Sequence, residues 1–145
     1  MMSREIKFRV WSEDQKTYDY KFPYNSIGDF YVNTRGKVFS DFGNSVVPEV
    51  RQEAFIIEQY TGLKDKNGKE IYEGDIVKRL KSHEFLKNVE ETEIFRIRWG
   101  VRKAGFFAYS KERKKHNIPA KRLNANDVYE VIGNIHENPE LLEDK

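Results

Sequence analysis

Four carboxylates, Asp65, Glu70, Glu73 and Asp75, fall within eleven consecutive residues, and acids at that spacing can exchange protons or hold a hard cation. A plainer role is favoured. Asp65 and Asn67 sit where short polar side chains hydrogen-bond the local main chain of a turn, and Glu70 and Glu73 fall at solvent-facing strand positions. Three histidines, His83, His116 and His136, show none of the i,i+2 or i,i+4 spacing that brings two imidazoles to one metal. Gly62 and Gly68 precede Lys69, but Glu70 stands where a phosphate-binding loop needs Ser or Thr, and no Gly-x-Ser-x-Gly elbow occurs. No catalytic residue, metal ligand or cofactor site is therefore assigned.

The remaining chemistry is cationic. Residues 102–122 hold eight Lys or Arg against the single acid Glu112. Lys111, Arg113, Lys114, Lys115 and Arg122 are interleaved with Phe106, Phe107 and Tyr109, a combination that can hold single-stranded nucleic acid through phosphates and stacked bases. A solvated loop is favoured over an interface, because charge runs mostly solvate and the net charge is only +2.

Strands must position these side chains. Ile6, Phe8 and Val10 alternate with Lys7, Arg9 and Trp11, so the even-numbered set is expected to face inward. Residues 13–16 turn the chain. Residues 30–33 and 37–39 flank a hairpin at Gly36, and 41–45 are turn-rich. The stretch 49–58 after Pro48 is left open between a short helix and an extended arm. Residues 54–60 read as a strand, and Asn67-Gly68 predicts a two-residue hairpin turn of the mirror-image class with Gly68 at positive φ. Further strands are expected at 75–78, 93–99, 105–110 and 129–135. Asn138 as N-cap, Pro139 at the first helical position and Leu141-Leu142 predict a short closing helical turn. Ile6, Phe8, Val10, Phe39, Ile56, Tyr60, Leu63, Ile76, Ile97, Val131 and Ile135 form the expected core. The fold class is mainly β (β-rich α+β at most), with short antiparallel strands in a barrel or packed sheets.

A chain of 145 residues is the size of one domain, and 1–145 is read as such. It lacks cysteine, so disulfides, thiolate metal sites and thiol catalysis are excluded. No segment approaches the run of about 20 apolar residues that crosses a bilayer, and no signal peptide is evident, so a cytoplasmic location without membrane association is expected.

The phrase Gln59-Tyr60-Thr61-Gly62-Leu63-Lys64-Asp65-Lys66-Asn67-Gly68-Lys69-Glu70-Ile71-Tyr72-Glu73-Gly74-Asp75-Ile76-Val77-Lys78 closely resembles the central motif of the YopX family, small proteins of bacteriophages and prophages. Its motif residues Thr61, Gly62, Leu63, Asp65, Asn67, Gly68, Gly74 and Asp75 are read as structural. The opening Arg4-Glu5-Ile6-Lys7-Phe8-Arg9-Val10-Trp11 and the close 128–142 are similar to that family's start and end. The family has no assigned activity, so the resemblance implies a single YopX-like domain in the cytoplasm of a bacterial host. Its expected role is a non-enzymatic interaction module for a host or phage macromolecule. The alternative is a nucleic-acid-binding factor using residues 102–122. Exposed strand edges add the expectation of a homo-oligomer.

Overall fold

Strands dominate the computed structural model, which describes residues 4–21, 28–42, 45–47, 52–82 and 90–143. Gly43, Asn44, residues 48–51 and His83 lie outside the described residues. Two compact units emerge: Lys7–Gln59, and Met1–Ile6 together with Tyr60–Lys145. Among the described residues no helix is long and apolar enough to cross a membrane.

In the Lys7–Gln59 unit, β1 (Phe8–Ser12) pairs antiparallel with the first half of β5 (Phe55–Lys64), while β2 (Gly28–Val32), β3 (Val38–Phe42) and β4 (Ser45–Val47) form a separate antiparallel sheet. The open stretch after Pro48 ends as a 3-10 turn, Gln52–Ala54, that feeds β5. Burial along β1 is not one-sided: Arg9 and Trp11 are covered while Phe8 is exposed, yet Val10 and Ser12 of the even-numbered face are buried too, which corrects the expected core. Ile6, Phe8 and Ile56 are exposed, whereas Trp11 is only 2% exposed. The cause is a long-range pair that strand periodicity does not register. Glu58 lies opposite Arg9 and accepts from its Nε at 3.0 Å and from the Tyr18 hydroxyl at 2.6 Å. With the carboxylate and guanidinium so satisfied, the charged pair can be covered. The Tyr18 ring lies under the Arg9 guanidinium at 4.3 Å and packs edge-on against Trp11 at 4.9 Å.

In the other unit, the second half of β5 pairs with β6 (Glu70–Tyr72). The strands β7 (Asp75–Ser82), β8 (Glu90–Gly100), β9 (Gly105–Tyr109), β10 (Lys121–Arg122) and β11 (Tyr129–Asn134) form one antiparallel sheet ordered β10-β9-β8-β7-β11. Among the described residues the strands thus fall into three antiparallel sheets. Ile71, Val77, Phe95, Ile97, Ala108 and Tyr129 form the core, with Leu63, Leu123 and Val131 packed against it. Of the remaining expected core residues, Val10, Tyr60 and Ile76 are buried, and Phe39 and Ile135 are partly buried.

The Asn67-Gly68 hairpin is present, with a different turn. Gly68 has φ +81° and is the loop's single positive-φ residue. Its N–H donates to Asp65 O at 3.0 Å, and Asp65 N–H donates to Lys69 O at 2.7 Å. That is a three-residue loop with a left-handed glycine, instead of the two-residue mirror-image turn, because Asp65 Oδ1 accepts from the N–H groups of Asn67 and Lys69 and fixes the longer loop. The same bonds recur at Asn33-Thr34-Arg35-Gly36-Lys37, where Asn33 Oδ1 accepts from Arg35 and Lys37 and Gly36 has φ +75°.

The closing turn Pro139–Leu142 is 3-10. Asn138 takes the expected N-cap position, its backbone carbonyl accepting from Leu141 N–H at 3.1 Å, but its side chain makes no capping bond. Its Oδ1 accepts from Asn134 N–H at 3.3 Å.

Candidate anion-binding cleft

Strand β8 reads Phe95-Arg96-Ile97-Arg98-Trp99, and period-2 geometry sends Phe95 and Ile97, both fully buried, to the core and Arg96 and Arg98 to the opposite face. Tyr109 on β9 lies directly across from Arg96. Its ring takes the Arg98 guanidinium at 4.9 Å from the centroid, a cation–π contact.

Directly after β9 the chain enters α1 (Lys111–Lys115). Ser110 Oγ caps it by accepting from Arg113 N–H at 3.1 Å. Five residues is too short for hydrophobic periodicity to announce, which is why the segment reads as a loop in the sequence. Its position is fixed by Arg113, whose Nε donates to Glu93 Oε2 at 3.0 Å and whose Nη1 donates to Pro119 O at 3.3 Å. Glu93 also faces Arg79, which in turn reaches Asp127, and Asp127 binds Lys121. With α1 so anchored, Lys111 and Lys114, three apart on one helical face, join Arg96 and Arg98 around a cleft of about 450 Å³. Tyr109, Ile118 and Leu142 supply apolar wall. Among the described residues that line the cleft there are five cations and no carboxylate.

The five cations singled out from the sequence thus separate. Lys111, Arg113 and Lys114 reach the cleft, and Lys115 lines a shallow adjoining hollow with Lys111, Glu112 and Lys114. Arg122 stays on β10, its guanidinium 4.8 Å from the Phe107 ring centroid and its Nη2 donating to Lys103 O at 3.2 Å. Sequence reasoning missed Arg96 and Arg98. The available signal was the Arg-Ile-Arg alternation, which puts two cations on whichever face the core does not use.

The acids of the central motif are engaged in the backbone. Asp65 Oδ2 accepts from Val131 N–H at 3.0 Å, so with its two loop bonds the carboxylate holds three N–H groups. Burial pushes its pKa up, but the N–H donors of Val131, Lys69 and Asn67 and the Lys69 charge outweigh it and hold the group below its usual 3.8. Asp75 Oδ2 accepts from Tyr72 N–H at 2.8 Å, across a turn in which Gly74 has φ +84°. Thr61 Oγ1 donates to Ile71 O at 2.7 Å and accepts from Leu63 N–H at 3.2 Å, while Gly62, at φ +87°, forms the irregularity between β5 and β6.

Comparison with known proteins finds relatives of this chain. The YopX family, described as YopX protein, matches residues 7–143. Protein EF1440 from Enterococcus faecalis is 32% identical, with 97% of this chain and 100% of that one covered and a TM-score of 0.54. Protein yopX from Bacillus subtilis is 20% identical over 95% of this chain and 96% of that one, with a TM-score of 0.56, a likeness of fold alone. No curated protein matches the chain.

Proposed function

The chain belongs to the YopX family, and from that premise we propose that it is a phage or prophage accessory protein of the bacterial cytoplasm, a non-enzymatic interaction module that docks an anionic macromolecule in the cleft of β8, β9 and α1. The observation that carries this reading is that, among the described residues, the cleft is lined by Arg96, Arg98, Lys111, Lys114 and the Glu93-paired Arg113, with no carboxylate in the lining. In a protein whose net charge is only +2, such a local excess concentrates the attraction at one place. The non-enzymatic part rests on the motif acids: Asp65 and Asp75 hold backbone N–H groups, the work of fold-keeping carboxylates.

Retention on immobilised heparin under a rising salt gradient tests it. The parent protein should be retained, and the double variant Lys111→Glu, Lys114→Glu should elute at clearly lower salt. Both side chains are exposed, so the exchange leaves the fold intact. A parent protein that passes through unretained, or a variant that elutes with it, would sink the reading.

A further inference from the structure

Resting on the anion-docking reading, we infer that the occupant of the cleft is a single-stranded nucleic acid, with one base stacked at Tyr109 and its flanking phosphates held by Arg96 and Arg98 on one wall and Lys111 and Lys114 on the other. Three features of the cleft point the same way.

The first is hydrogen-bond polarity. The cationic side chains of the lining are donors without acceptor capacity, and Ser110 Oγ already accepts from Arg113 N–H. A peptide strand would bring one backbone N–H per residue, and these would find few side-chain acceptors. A sugar–phosphate backbone offers acceptors, which matches a donor lining. The second is size. About 450 Å³ is the scale of a small-ligand site; it takes about one nucleotide with its neighbouring phosphates, and a duplex, with its bases turned inward, cannot enter it. The third is the interleaving of flat and charged groups. Tyr109, with the Arg98 guanidinium at 4.9 Å from its ring centroid, offers aromatic and guanidinium surface for a base. Ile118 and Leu142 supply further apolar wall. Acidic side chains on flexible stems have no flat body to use such a surface.

The salt dependence follows from the residues. Two flanking phosphates neutralised on a single strand give a log–log slope near −1.4, so raising salt from about 50 to 200 mM should weaken binding roughly 7-fold. The experiment is fluorescence anisotropy with a labelled oligothymidylate, a duplex of equal length and labelled polyglutamate. The expected result is oligothymidylate bound at least about tenfold more tightly than either competitor, a distinction of the kind base stacking confers. Tyr109→Leu should lose at least about fivefold and Tyr109→Phe should retain affinity, because the ring is what stacks. Lys111→Glu with Lys114→Glu should reduce the salt slope by half or more. Equal or better binding of duplex or polyglutamate, or unchanged affinity in Tyr109→Leu, overturns the single-strand assignment while retention on heparin leaves the docking reading standing. Loss of binding to all three probes together with no retention on heparin overturns both.

Discussion

Replacing Asp65 by Asn separates two jobs that one carboxylate performs. Oδ1 holds the hairpin loop through Asn67 and Lys69, and Oδ2 holds Val131 of β11. Asn33 shows that an amide oxygen does the first job equally well, since it makes both loop bonds in the sister hairpin. Asp65→Asn should therefore keep its turn and lose the bond to Val131, where an amide NH2 would face an N–H. A hydrogen bond to a charged acceptor contributes about 1.5–3 kcal/mol, and Asp65 is only 8% exposed, so water screens it little. At this chain length the loss corresponds to a fall in Tm of roughly 3–12 °C. Asn33→Asp is the control, with no second partner and an expected effect within about 0.5 kcal/mol. The pH dependence has a definite sign. A carboxyl held below 3.8 in the folded state stabilises the fold fully above that value and loses its contribution as pH falls through the lower folded value. The gap between parent and Asp65→Asn should be largest near pH 7 and narrow below about pH 4. Urea unfolding at pH 7 and at pH 3.5, followed by tryptophan fluorescence, reads both effects. An Asp65→Asn protein within about 0.5 kcal/mol of the parent at pH 7, or a gap that widens in acid, would refute the argument.

Three further pairs of substitutions test other parts of the fold. Trp11→Ala should cost about 3–5 kcal/mol and Phe8→Ser under about 1 kcal/mol, in denaturant titrations that check that Trp11 is covered and Phe8 is not; equal costs would return Phe8 to the core. Gly68→Val should cost about 1 kcal/mol or more and Gly68→Asn less, because no atom lies within 4 Å of an added Cβ and only the left-handed backbone resists. Thermal melts that rank the two the other way would reject that. Gly133→Ala would bring a Cβ to 2.6–2.8 Å from side-chain atoms of Asn138. A double-mutant cycle with Asn138→Gly should recover part of the loss, with a coupling of about 0.5–3 kcal/mol, and additive effects would show that the clash is relieved elsewhere.

Local signals carried most of the strand positions. Asn67-Gly68 announced its hairpin because glycine's positive φ is a property of one residue, and the aromatic β8 and β9 segments were legible because β-branched and ring side chains suit a pleated surface. What escaped depends on partners distant in the chain. Arg9 could be assigned to a covered position on β1 only by knowing that Glu58, 49 residues on, would meet it. The buried role of Asp65 depended on Val131, 66 residues on, meeting its second oxygen. The cleft was half legible: the run 111–115 stands out as charge, while Arg96 and Arg98 lie within the expected strand 93–99 without being singled out. Their grouping with α1 arises from the Arg113–Glu93 bond, between residues 20 apart.

The bond from Val131 to Asp65 also sets a clock. It spans 66 residues, and a ribosome adding about 5–20 residues per second needs roughly 3–13 s to make that stretch. Through that interval the hairpin tip at Asp65 has been made and its partner has not, and β7 lacks β11 on one side. The Lys7–Gln59 unit, whose strand pairs all lie within its own span, has no such wait. Stalled nascent chains ending before Tyr129 should therefore be cleaved by protease within residues 60–82 while 7–59 resists, and protection should arrive in one step once β11 is released from the tunnel. Equal resistance of both spans in the shorter chains would show that the hairpin holds without its distant strand. The last strand made is thus the one that ends the vulnerability of the motif translated first.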